Sequence, residues 1–331
     1  MNKKVDISHK TVFFIAIFLG SLWLLFQIKE VILILFVAVI FMSALAPFVD
    51  FLTKKRLPKG LAIAISYILV IFFVVSLITL IVSPLTTQTS NLIFSLPSTF
   101  ERIFPTLGID KSVISQELTS ISQKALGFTL AIFSNILALI SIGVLTFYLL
   151  LDRERLHRMI VSFFPSNKDR TGKLILRIEG KLGAWLRGQI ILSLVIGVMS
   201  YILLLLFNIP YAMPLAILAG VMEVVPVIGP IISAIPAILI AYVTSPPLAL
   251  FIALGAFAIQ QTENHFIVPQ IMKRAVGLNP LIVILAIAIG GRLIGLAGGL
   301  LAVPITVVIQ IILEEYLHID LDEYSDVHAS N

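Results

Sequence analysis

Cysteine is absent from these 331 residues, tryptophan occurs twice, histidine five times, and charged residues make up only 12%. Without thiols there is no disulfide framework, no cysteine nucleophile and no thiolate metal site. The charged fraction is half the roughly 25% of a soluble domain. With 59% hydrophobic residues and a mean hydropathy of +1.08, it excludes a secreted scaffold, a disordered tail and a cytosolic enzyme. Repeated apolar runs of about 18 or more residues have no water-soluble way to hide. Also missing are H-E-x-x-H, G-x-S-x-G, a Walker-type G-x-x-x-x-G-K and the Rossmann glycine fingerprint. Neither ATP-driven transport nor zinc or serine proteolysis has a local signal, so the sequence predicts a non-enzyme that needs no cofactor or metal.

What is present is a series of long apolar runs near 11–28, 31–49, 60–83, 128–151 and 189–207, with a sixth at 248–266. Each is long enough to cross a hydrocarbon core of about 30 Å. The first lacks a small-residue cleavage site and a second follows almost at once, so it reads as a retained span. The net charge of +5 lies mostly between the runs, which makes it a topology signal rather than a nucleic-acid footprint. Segment 53–59 holds Lys54, Lys55, Arg56 and Lys59 with no acid, and 152–188 holds nine basic against four acidic residues. Both are expected to face the cytoplasm, whereas 84–127, with three charges of each sign, suits the outer side.

Two connecting segments read as helices. In 111–126 the apolar residues Ile114, Leu118, Ile121 and Ala125 recur at helical spacing. In 173–187 Leu174, Ile178, Leu182 and Trp185 oppose Lys173, Arg177 and Lys181. That helix either lies on the inner leaflet with Trp185 at the interface or packs as a cytoplasmic cap.

The later half is irregular, with ten of the sixteen prolines after residue 207. The run 212–243 would span about 48 Å as a straight helix, but Glu223, Pro226, Gly229 and Pro230 interrupt it. The run 280–313 is interrupted by Gly290, Gly291, Arg292, Gly295, Gly298 and Gly299. Halves of about 16 to 21 Å reach only the midplane. Two re-entrant hairpins entering from opposite faces fit this pattern and that of secondary transporters; kinked full spans are the competing arrangement. The expected organisation is a bundle at 1–83, extracytoplasmic helices at 84–127, a fourth span at 128–151, a basic helix at 152–188, a transport domain at 189–313 and an acidic tail at 314–331. The fold class is all-α, with about six full spans plus the two hairpins.

Gly188-Gln189, the string from Glu223 through Pro226, Gly229 and Pro230 to Pro236, Glu263-Asn264-His265 leading to Pro269, Asn279-Pro280, and Gly290-Gly291-Arg292 leading to Pro304 resemble the autoinducer-2 exporter family of bacterial permeases. The resemblance covers nearly the whole chain. It implies a multi-pass inner-membrane protein, assembled as a homo-oligomer, that exports a small signal such as autoinducer-2 or a related solute. Some members of that family resemble cation/proton antiporters in assigned function.

Between 189 and 313 the only charged residues are Glu223, Glu263, Lys273, Arg274 and Arg292. A charge at membrane depth costs about 2.5 to 3.5 kcal/mol on insertion scales, so it needs a partner, water or a role. Glu223 and Arg292 fall at the two hairpin tips, where they would form either a structural ion pair or a site for substrate or proton. Helix N-termini after Pro230 and Gly299 add partial positive charge. Gly291, Gly295 and Gly299, spaced by four, read equally well as a close helix contact. Gln260, Gln261, Glu263, Asn264 and His265 either line the inner mouth of a path, His265 relaying a proton, or cap a helix end. His318 and His328 belong to the acidic, solvated tail.

Three functions follow as expectations: a secondary transporter of a small polar solute, a cation/proton antiporter using Glu223, and a non-transporting scaffold. Both termini are expected in the cytoplasm, and the partners are lipid and a small molecule or ion, not nucleic acid.

Overall fold

A computed structural model describes residues 13–76 apart from 15, 16, 19, 22, 25, 26 and 74, together with 136–225, 228–272 and 277–317. The amphipathic segment 111–126, Pro226, Lys273, Arg274 and the tail from 318 onward lie outside the described residues.

The described residues form helices and no strand. In chain order these are α1 (Lys29–Lys54), α2 (Lys59–Phe73), α3 (Ile136–Leu151), α4 (Arg153–Ser162), α5 (Lys168–Leu206), α6 (Ala212–Met222), α7 (Ile228–Thr244), α8 (Pro246–Thr262), a π-turn (Glu263–Ile267), α9 (Val268–Met272), α10 (Pro280–Ile294) and α11 (Leu296–Leu317). Lys29–Lys54, Pro165–Leu206 and Ala297–Glu315 are long and apolar enough to cross a membrane, and five shorter helices are apolar.

The 39-residue helix α5 is the axis of the molecule. At 1.5 Å per residue it is about 58 Å long. The basic amphipathic stretch and the apolar run after it are therefore one rod, with no break at 188. Of the two alternatives for 173–187, the structure shows the packed one: Trp185 is buried with Leu182 against Ile40 and Val303. Glycine lets neighbours approach, because a Cβ on Gly183 would strike the Ser43 carbonyl of α1. That carbonyl is unusual. Pro47 has no N–H to donate to it four residues on, and the Arg187 Nη1 donates to Ser43 O at 3.3 Å and Ala44 O at 2.9 Å instead.

Residues 212–244 fold back on themselves. Ala212 and Leu215 of α6 share a buried cluster with Ala237, Ile240 and Ala241 of α7, so the arms pack together. A Cβ on Gly229 would strike the Met222 carbonyl, and a glycine is what permits this close passage across the break. Helix α6 runs antiparallel to α5: Gly220 lies against Ser193 and Gly197, and Leu204 is clustered with Ala212.

Residues 280–317 form the second fold-back. Gly295 turns the chain alone, at φ 68° and ψ −147°, a conformation that is essentially glycine-only. Gly290 and Gly298 then bring the two backbones together, each occupying the place a Cβ on the other would need. The close contact expected of Gly291, Gly295 and Gly299 is thus made by Gly290 and Gly298; a Cβ at any of the first three would meet no atom within 4 Å. The Asn279-Pro280 pair starts α10: the Asn279 side chain accepts from Leu281 N at 2.9 Å, and Pro280 occupies the first turn, where no N–H is missed. Asn279→Ala is expected to lower stability by about 1 kcal/mol, read as a fall in the thermal midpoint of the detergent-solubilised protein.

Helix α11 also runs antiparallel to α5, with Arg177 paired to Glu314 at 2.6 Å and Arg170 paired to Glu315. Gln310 joins Glu314 at 2.6 Å. Glu314 and Glu315, expected in a solvated tail, are therefore part of the last turns of α11, and Glu314 is buried. The arms are also unequal. Helix α11 has 22 residues, more than the half-span expected, and its extra length runs beside the basic part of α5. The two fold-backs approach from opposite ends of α5, and the break of the first lies near its residues 189–197.

Candidate functional site

At that level the Gln189 Nε2 of α5 donates to the Glu223 backbone carbonyl at 2.9 Å. Glu223 caps α6, so this is one of the helix-end carbonyls that has no partner of its own. The Glu223 side chain is 1% exposed, and its Oε2 has no hydrogen-bond partner. The Glu223 and Glu263 carboxyl groups lie within hydrogen-bonding reach of each other. Glu263 is 5% exposed, and its Oε2 accepts from the Gln260 Nε2 at 3.1 Å.

Helical spacing along α8 brings Glu263 to this position, on the face shared by Ile252, Ala256, Ile259 and Gln260, and the π-turn begins at Glu263 itself. A helix with one wider turn rotates the residues beyond it relative to an α-helical register, and such turns recur at functional sites. Beside the pair is a cavity of about 50 Å³, lined by α5, α6, α7 and α8. Ser200, Ser233, Gln260 and Glu263 are its polar lining among mostly apolar residues, with Pro230 and Ala219 at the break in the first fold-back. A water occupies about 30 Å³ in the liquid, so the cavity holds one or two water-sized groups.

The predicted site residues separate into those the fold gathers and those it does not. Glu223, Gly229, Pro230 and Glu263 come together with Gln260 and Gln189. Arg292 does not join them: it is exposed on α10 and forms no ion pair among the described residues. The expected Glu223–Arg292 pair is replaced by a carboxyl–carboxyl pair, because the end of α8 brings Glu263 to the break that Arg292 was expected to reach. Gly291, Gly295 and Arg292 are exposed, while Gly299 is buried in the start of α11. Gln261, Asn264 and His265 are exposed; Asn264 accepts from Gln260 Nε2 at 3.4 Å, and His265 Nδ1 lies 2.9 Å from the Gln261 carbonyl.

A second polar cluster has no forerunner in the motif reading. Arg153 bonds Asp50 and Glu179 at 2.9 Å each, and His157 lies 2.5 Å from Glu179. Burial opposes the Arg153 charge, but Glu179 and Asp50 outweigh it and raise its pKa. Glu179 is buried in the basic first part of α5, where Asp169 is the other acid. An acid on the apolar side of that helix was the available signal.

Apolar helices around a broken-helix site define the class: a multi-pass membrane permease. The AI-2E family transporter description matches residues 12–318. The chain belongs to the AI-2E transporter family. Among relatives, a Bacillus subtilis (strain 168) protein named as a candidate transport protein, YrrI, is 28% identical, with 92% of each chain covered. A second from the same organism, YueF, named in the same way, is 26% identical over 78% of this chain and 77% of its own. The AI-2 transport protein TqsA of Escherichia coli (strain K12) is 27% identical over 86% of this chain and 84% of its own.

Proposed function

We propose that this protein is a secondary transporter that exports a small polar solute, with the Glu223–Glu263 pair as its proton-carrying element. The observation that carries the reading is the burial of two facing carboxyls, one with an unpartnered oxygen, at the break of a helix. Two carboxylates in an apolar surround do not both ionise, so such a pair holds a proton. A solute or ion that displaces that proton couples its own movement to the proton gradient.

The fold-backs serve as re-entrant hairpins from opposite faces, with their turns near the bilayer midplane. The basic segments 53–59 and 152–188 support a topology with the N-terminus, α4 and the end of α11 on the cytoplasmic side of a bacterial inner membrane. The extra length of α11 then lies outside the hydrocarbon, beside Arg170 and Arg177. The relative named for AI-2 transport supports a signal molecule of that kind as cargo. Movement of the hairpins would have to enlarge the cavity, since about 50 Å³ admits an ion or water but no sugar-sized solute. That size favours the second reading, a cation/proton antiporter that uses the same two carboxyls.

Liposomes containing the full chain test both readings. An imposed proton gradient is expected to drive labelled autoinducer-2, or sodium, potassium or lithium is expected to dissipate the gradient, and Glu263→Gln is expected to reduce either flux to that of empty liposomes. Flux of every probe that ignores the gradient and survives Glu263→Gln would remove the carboxyl pair from the mechanism.

A further inference from the structure

The end of the bundle where α1, α4 and α5 converge contains a cavity of about 480 Å³. A neighbouring one of about 260 Å³ shares Asp50, Arg153 and Leu176 with it. Together they fall within the range of roughly 300 to 1,000 Å³ of ligand sites. Neither touches the Glu223–Glu263 pair.

The charges there do not cancel. Arg153 is matched by Asp50 and Glu179, His157 also contacts Glu179, and Lys59 lies 3.8 Å from Glu154. Lys54 of α1 and Arg187 of α5 line the 480 Å³ cavity, and neither forms an ion pair among the described residues. Arg187 has one nitrogen, Nη1, on the Ser43 carbonyl that Pro47 leaves free and on the Ala44 carbonyl, and Nε and Nη2 have no hydrogen-bond partner among the described residues. Its position is fixed by the backbone of α1 and does not depend on an acid. The cavity keeps one surplus positive charge, which an anion between Lys54 and Arg187 would neutralise. Gly180 on the same wall leaves open space beside the backbone.

We propose that Arg187 and Lys54 form a binding site for a phosphate-type anion in the cavity between α1 and α5. A guanidinium with free N–H groups bonds phosphate oxygens directionally, and an ammonium adds a point charge. Basic pockets between membrane helices bind lipid headgroups by this chemistry. Asp50 and Glu179 also line the cavity and share Arg153, so against Lys54, Arg153 and Arg187 they leave it one net positive charge. The ligand is either a glycerophosphate headgroup or free phosphate.

Two arms on the purified full-length protein separate these sources. Native mass spectrometry compares retention of phosphatidylglycerol with phosphatidylcholine, and equilibrium dialysis measures radiolabelled inorganic phosphate. Binding is expected in at least one arm. Lys54→Gln, at an exposed position, should weaken it about tenfold, the effect of losing one charge-assisted contact of roughly 1.4 kcal/mol. Arg187→Gln should do the same while keeping an amide donor for Ser43 and Ala44; Lys168→Gln should change nothing. Phosphatidylglycerol retention without phosphate binding identifies a lipid site, and the reverse a soluble anion. Binding in neither arm, or binding that survives both substitutions, overturns the proposal.

Discussion

Replacing Glu223 by leucine is expected to make the protein more stable and abolish its flux. A buried polar atom without a hydrogen bond costs about 1 to 3 kcal/mol, and Glu223 has such an atom in Oε2. An apolar side chain of similar volume also removes the opposition of two carboxyls in a low-dielectric site. The thermal midpoint in detergent should therefore rise, while transport in liposomes falls to the level of protein-free vesicles. A functional site kept at the expense of stability has this signature. A lower midpoint with flux intact would mean that Glu223 is a structural residue and that the pair has no part in transport.

The second large effect is steric. A side chain at Gly298 meets the Gly290 carbonyl, part of a backbone that has no freedom to rotate away. Gly298→Val should force the arms of the second hairpin apart and cost about 3 kcal/mol, at the upper end of ordinary overpacking. Gly291 is the control. Open space surrounds its Cβ position, so Gly291→Ala should stay within about 0.5 kcal/mol. Thermal unfolding in detergent reads both. Equal effects from the two substitutions would show that the Gly290–Gly298 contact does not hold the hairpin together.

The sequence alone was informative about the hairpins because their breaks are local. Pro230, Gly229 and Gly295 change the backbone where they stand, and no partner is needed to see that 212–243 and 280–313 are interrupted. The same locality explains the Asn279-Pro280 start of α10. Partner choice was a different problem. Arg292 looked like the counter-charge for Glu223 because opposite signs and two tips suggested a pair, yet the fold leaves Arg292 exposed and brings up another acid. Glu263 shares a helical face with Ile252, Ala256, Ile259 and Gln260, but that this face meets the break at Glu223 depends on how α8 packs against helices distant in sequence. Gln189 was visible only as part of a motif, and its bond to the Glu223 carbonyl needs α5 and α6 antiparallel at a particular register.

Composition and periodicity by themselves determined that the chain is a helical membrane protein, where its basic segments lie and where two helices must break. These follow from hydrophobicity and from single-residue backbone geometry, which act along the chain. Only the tertiary structure decided which glycines touch, that the basic helix and the following apolar run form one rod, and that Glu223 faces Glu263. Those outcomes depend on the register between helices distant in sequence, and a one-dimensional pattern of apolar residues leaves that register open.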